Sequence, residues 1–201
     1  MHPKTKPAYH HDRLREALIA EVLRALEAHE ADRLSMRELA GRVGVSHTAA
    51  YAHFSDKAAL WTAVADVGFE RLHADLARAV DAASTAGDRL AAAGLAYLAF
   101  ARVNPELYRL MFGPGRRAHE PSGPARAAFE VLLAAVAGLP SAGGARRAAN
   151  RVRTDALTAW SLVHGLASLE DGGNLGMLDG RDTSALERHA VAVLVAGLSA
   201  A

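Results

Sequence analysis

The chain has 201 residues, among them ten histidines and no cysteine, and its 23 Lys and Arg against 22 Asp and Glu give a net charge of +1. That length can bury a sizeable core in one or two domains, and the missing cysteine excludes disulfides, thiolate metal sites and a cysteine nucleophile. Near-neutral charge confines any nucleic-acid reading to local features, because DNA-binding domains as a class are basic.

The opening MHPKTKPAYHHDRLREAL is polar and lacks the apolar core of a signal peptide, so a cytoplasmic location is expected. The longest uncharged run, 131–145, is too short to span a bilayer and is interrupted by Pro140 and glycines, so no membrane association is expected. Hydrophobic periodicity is helical almost everywhere and no run alternates as a strand would, which predicts an all-α fold of about nine helices.

Leu14, Leu18, Val22 and Leu26 mark a first helix over about 11–29. SMRE then reads as a capping box, Ser35 capping and Glu38 reaching back, ahead of a second helix that Gly44 ends. Ser46 caps a short third helix to Phe54, and Ser55 a fourth, reaching about Asp81, with Leu60, Val64, Val67, Leu72, Leu76 and Val80 along one stripe. A fifth helix covers about 89–103. Asn104 as cap and Pro105 at the first helical position restart the chain. GPGRRAHEPSGP, 113–124, reads as a loop, followed by helices near 125–137, 145–169 and 184–198, the last opened by a second capping box, SALE at 184–187. The division that matters falls near Ser55, giving a head of residues 1–55 and a larger helical body of 56–201.

The second and third helices, joined by a tight glycine turn, form a helix-turn-helix. In such a motif the second helix enters the major groove, with its N-terminal residues meeting base edges. His47 and Thr48 become the readers, beside the capping Ser46. One turn on, Tyr51, His53 and Lys57 offer a phenol, an imidazole and an ammonium to phosphate oxygens. All but Lys57 form hydrogen bonds without fixed charge, which suits a surface made to be read.

LSMRELAGRVGVSHTAAYAHFSDKAALWTAV resembles the DNA-binding signature of the TetR/AcrR family of transcriptional regulators, in which YxHFxxKxxL closes the recognition helix and opens the next. The resemblance covers about residues 10–65. It implies a homodimer that binds a palindromic double-stranded DNA operator through three N-terminal helices and senses a small molecule in the C-terminal body. It also places Arg37, His47, Thr48, Tyr51, His53 and Lys57 at positions that touch DNA. The sequence departs from the pattern at Ala50, where a larger apolar residue is common, and at Ala52, where a polar or basic one is. Further along, NPELYRLMF at 104–112 and AWSLVHGLASL at 159–169 are similar to the subgroup named for the WHG of its C-terminal domain, here Trp160, His164 and Gly165.

Trp160 and His164 combine an apolar wall with polar groups and are candidates for a ligand cavity. Tyr97, Phe100, Tyr108, Met111, Phe112 and Phe129 recur at helical spacing, so they read as core from which some subset touches the ligand. The final helix is apolar nearly all round from Ala190 to Leu198, more than one core can cover. Val191, Leu194, Val195 and Leu198, with Val152, Ala159, Val163 and Leu166 of the preceding long helix, are therefore expected at an isologous dimer interface. The resemblance implies a four-helix bundle there.

No metal or cofactor is expected. His10 and His11 diverge on a helix, and His47 and His53 lack a carboxylate to complete a tetrahedral site. Ser161 and His164 sit one turn apart without an orienting acid, and GPGRRA follows a helix rather than a strand, so hydrolase and dinucleotide motifs fail their context. The expected function is a ligand-responsive DNA-binding regulator, most naturally a repressor. The alternatives are a constitutive DNA-binding protein without an inducer and an all-α enzyme.

Overall fold

The computed structural model describes residues 8–113, 121–140, 147–176 and 183–200, and among these the chain is all-α, with nine helices and one 3-10 turn at Ala31–Arg33. Most of the expected loop at 113–124 lies outside the described residues.

Helix α1, Ala8–Glu27, buries Leu18, Ile19, Val22 and Leu26 along one stripe. It stops before His29, whose φ of 56° is left-handed and turns the chain into the 3-10 turn. Helix α2, Met36–Val43, opens with the full capping box: Ser35 Oγ accepts from the Glu38 amide at 3.2 Å, and Glu38 accepts from the Ser35 amide at 2.7 Å. Those bonds from Ser35 hold the Glu38 carboxyl below its ordinary pKa. Helix α3 is His47–Tyr51 and α4 is Lys57–Asp81. The α4 cap is Asp56 rather than the expected Ser55: its carboxylate accepts from the Ala59 amide at 2.8 Å. An ionised acceptor makes the stronger bond to a helix N-terminus, which explains the shift by one residue.

Helix α5, Ala86–Val103, starts earlier than the periodicity suggests because Thr85 caps it, accepting from the Asp88 amide at 3.1 Å. Helix α6, Pro105–Phe112, follows Asn104, whose side-chain amide donates back to the Phe100 carbonyl at 3.0 Å. Helices α7, Gly123–Ala137, α8, Ala149–Asp171, and α9, Thr183–Ala200, complete the chain. The second box, expected with Ser184 as the cap, is displaced. Ser184 already lies inside α9, and Glu187 is buried and paired with Arg102 of α5 at 2.6 Å. A buried carboxylate gains more from a cation than from a backbone amide, so the pairing between helices takes it.

The described residues fall into two compact units, Met1–Gly68 with Glu106–Glu120, and Phe69–Pro105 with Pro121–Ala201. The boundary expected at residue 55 lies inside the first. In that unit α1 packs on α2 and α3. Gly68 lets Met111 approach so closely that a Cβ there would sit 2.6 Å from its sulfur. In the second unit α5 packs against α7, α8 and α9, around a core that includes Leu90, Val136, Leu139, Ala156, Ala159 and Leu198. Among the described residues no helix is long and apolar enough to cross a membrane.

Candidate nucleic-acid interface

The turn between α2 and α3 is built on Gly44, at φ 77° and ψ 29°. That left-handed conformation lets the Gly44 amide reach the Gly41 carbonyl at 3.1 Å and the Val45 amide reach Ala40 at 2.9 Å, closing α2. Ala40 and Ala50 are both essentially fully buried in the first unit's core, where small side chains allow close approach of the helices. Ser46 then caps α3, its Oγ accepting from the Ala49 amide at 3.1 Å.

This packing turns His47, Thr48 and Tyr51 outward, all exposed, with His53 half-buried at the end of the helix. The His47 ring meets Tyr51 one turn later edge-on, with 4.6 Å between centroids, so the two rings order each other. Arg37, exposed on α2, joins Gly41, Val45 and His47 in lining an open hollow of about 460 Å³. The seven residues picked for DNA contact thus lie on α2, on α3 and its cap, in the turn after α3 and at the start of α4, all within one unit.

Charge on this face is more selective than the count of arginines suggests. Arg42 bonds Glu30 at 2.9 Å and reaches Glu21 at 3.5 Å, and the buried Glu21 also meets Arg24. Its guanidinium, held protonated first of all by Glu30, is committed to joining α2 to α1. Lys57 differs. Its ammonium lies 4.5 Å from the centroid of the Trp61 ring, one turn along α4.

Four of the eight ligand candidates come together in the second unit. The Tyr97 hydroxyl lies 2.8 Å from His164 Nδ1, the Trp160 indole N–H donates to that hydroxyl at 3.4 Å, and Phe129 packs edge-on to Trp160 with 6.0 Å between centroids. Burial pushes the His164 pKa below its ordinary value, which favours neutral imidazole. Trp160 can only donate, so the Tyr97 oxygen accepts from it, while the direction of the Tyr97–His164 bond follows the imidazole tautomer. Phe100 is buried on α5. Tyr108, Met111 and Phe112 belong to α6 in the first unit, where the Tyr108 and Phe112 rings meet at a tilt with 5.0 Å between centroids.

The eight residues picked for a dimer face sit largely inside. Ala159, Val163, Leu166, Val191 and Leu198 are buried within the chain itself, and Val152, Leu194 and Val195 pack half-buried against the same core. The outward apolar side chains of these helices are instead Leu157, Leu162 and Leu169 of α8 and Val193 of α9. Both faces of each helix are apolar, so periodicity finds the stripes without saying which one the chain covers for itself.

Residues 18–64 match the family model described as bacterial regulatory proteins, tetR family, and residues 90–194 match the tetracyclin repressor-like C-terminal domain. The chain belongs to the tetR family. Its members are DNA-binding transcriptional regulators. Over 100 residues this tetR-family chain is 34% identical to the nucleoid occlusion factor SlmA of Vibrio vulnificus strain YJ016, covering 49% of this chain and 51% of that one. It therefore spans about half the length of the curated relatives it matches. A protein of unknown function from Rhodococcus sp. RHA1 is 34% identical, with a TM-score of 0.75 over 99% of this chain and 100% of that one. TetR from Acinetobacter baumannii AYE shares the fold, at 21% identity and a TM-score of 0.64, covering 90% and 93% of the two chains; a variant of it was solved with minocycline.

Proposed function

We propose that this tetR-family chain is a repressor that grips a palindromic operator as a homodimer and is released by a small-molecule inducer. The observation that carries the reading is the exposed face of α3, where His47, Thr48 and Tyr51 present hydrogen-bonding groups behind a glycine turn. His47 and Thr48 meet base edges, and Arg37, Ser46, Tyr51, His53 and Lys57 hold phosphates.

Two such helices must sit roughly 34–36 Å apart to enter successive major grooves. A ligand that prefers the dimer at another spacing shifts that population and weakens operator binding by the same factor. We place the sensor at Tyr97, Phe129, Trp160 and His164, aromatic walls around a short hydrogen-bonded chain, which is also where the similarity to the WHG subgroup falls. Helix α4 runs through both units and is the lever. The dimer forms through the outward faces of α8 and α9.

The test is binding, followed by fluorescence anisotropy, to duplex DNA flanking the chain's own coding region. Tyr51→Ala and Lys57→Ala should each weaken the complex, and Lys57→Ala should lower the log–log salt slope by about one. Wild-type binding by both variants overturns the DNA assignment. Repeating the assay against a set of small hydrophobic compounds then tests release. The nucleoid occlusion factor among the relatives favours one second reading, constitutive DNA binding without an inducer. A complex that no compound dissociates decides for it.

A further inference from the structure

We infer that Trp61 is a positioning residue for DNA binding: its indole ring holds the Lys57 ammonium in place before a phosphate arrives. The inference rests on the reading of Lys57 as a phosphate contact. Lys57 is the first residue of α4 and Trp61 lies one turn further along, the spacing at which side chains on a helix meet. The ammonium stands 4.5 Å from the ring centroid, well inside the roughly 6 Å over which a cation is drawn to an aromatic face. Both side chains are half-buried in the first unit.

Two neighbouring acids fix the setting. Asp56 caps α4 through the Ala59 amide at 2.8 Å, which sets the backbone from which Lys57 projects. Glu38, whose carboxyl senses the Lys57 charge, accepts from both the amide and the hydroxyl of Ser35 at 2.7 Å. A lysine stem is among the most costly side chains to order. Stacked on Trp61, Lys57 meets that cost in the free protein rather than on binding, which is preorganisation.

The experiment is a double-mutant cycle on the duplex defined above, with Trp61→Leu, Lys57→Ala and the pair. Trp61→Phe serves as the conservative replacement, and a thermal melt of each variant verifies folding. Trp61→Leu should weaken binding about two- to fivefold, the range of an exposed cation–π contact. The salt slope should stay unchanged, because Lys57 still reaches its phosphate. Trp61→Phe should recover most of the loss. In the Lys57→Ala background Trp61→Leu should have no effect. An equal loss in both backgrounds, or no loss with Lys57 present, overturns the role of Trp61 while the phosphate contact stands. Wild-type binding by Lys57→Ala removes that contact, and the role of Trp61 with it.

Discussion

Arg147 and Asp155 form an ion pair at 2.6 Å with only 2% and 6% of their side chains exposed. The same guanidinium donates to the Pro140 carbonyl at 3.1 Å and to the Leu198 carbonyl, so one cation joins the segment after α7, the α8 carboxylate and the end of α9. Its Nε finds no partner among the described residues, so the charge leans on Asp155. Asp155→Ala should therefore destabilise the chain by about 3–5 kcal/mol, because it strands a buried cation. Arg151, half-exposed and 2.8 Å from the same carboxylate, should contribute at most about 1 kcal/mol. Urea unfolding measures both. The pair Arg147→Met with Asp155→Leu should recover most of the loss, and an Asp155→Ala chain within 1 kcal/mol of wild type would show the pair to be solvated.

Ala50 is the buried pivot of α3, fully covered where the resembling sequences commonly carry a larger apolar residue. Here α1 and α2 close around a methyl group, so Ala50→Leu overpacks the head and should cost about 1–3 kcal/mol. It should also tilt α3 and lower DNA affinity beyond what lost stability explains. Gly44→Ala meets no atom within 4 Å, but it forces a side chain to φ 77° and should cost about 1–2 kcal/mol. Chemical denaturation and DNA titration of the same samples separate these effects. Wild-type stability in Ala50→Leu would mean that the helices part to admit it.

What was legible in the sequence follows from where each signal lives. The helix-turn-helix is local: Ser35, Glu38, Gly44 and Ser46 do what their types and spacing dictate within a few residues, and the structure keeps each of those roles. Helix starts are less legible where a partner lies outside the local pattern: nothing near Glu187 in sequence signals its pairing with Arg102 of α5. Arg42 is a bare cation in the sequence, and only the fold shows Glu30 and Glu21 pairing with it. The apolar residues of α8 and α9 were recognisable as stripes. Which stripe turns inward depends on α5 and α7, distant in sequence, and periodicity carries no information about them.

His164 gives a pH dependence of definite direction. Burial lowers its folded pKa below the ordinary value near 6.5, so the unfolded chain binds the proton more readily. Its contribution to stability is complete above the unfolded pKa and is lost as pH falls through the folded one. The melting temperature should thus fall between pH 7 and pH 5, and His164→Gln should reduce that fall while Tyr97 keeps an amide as partner. Protonation would also fix Nδ1–H as the donor to the Tyr97 oxygen and put a cation among these aromatic walls, so an uncharged apolar compound bound at this cluster should bind more weakly in acid. A melt whose pH dependence is identical in His164→Gln would remove His164 from both effects.

The outward face of α8 should govern self-association. Leu162 and Leu169 stand two turns apart on one side of the helix, 38% and 46% exposed, and Val193 of α9 is 58% exposed. A two-fold interface uses the same patch from both subunits, so each substitution acts twice. Leu162→Glu places two carboxylates in a desolvated apolar contact and should weaken the dimer at least tenfold, about 1.4 kcal/mol or more, in sedimentation equilibrium. Val163→Ala, one residue away but turned inward, should lower the stability of the chain and leave association nearly unchanged. Because the two heads must be tethered to reach successive grooves, Leu162→Glu should also lose operator affinity while an isolated half-site binds as before. If instead Val163→Ala separates the subunits and Leu162→Glu does not, the inward stripe forms the interface, and α8 must turn on assembly.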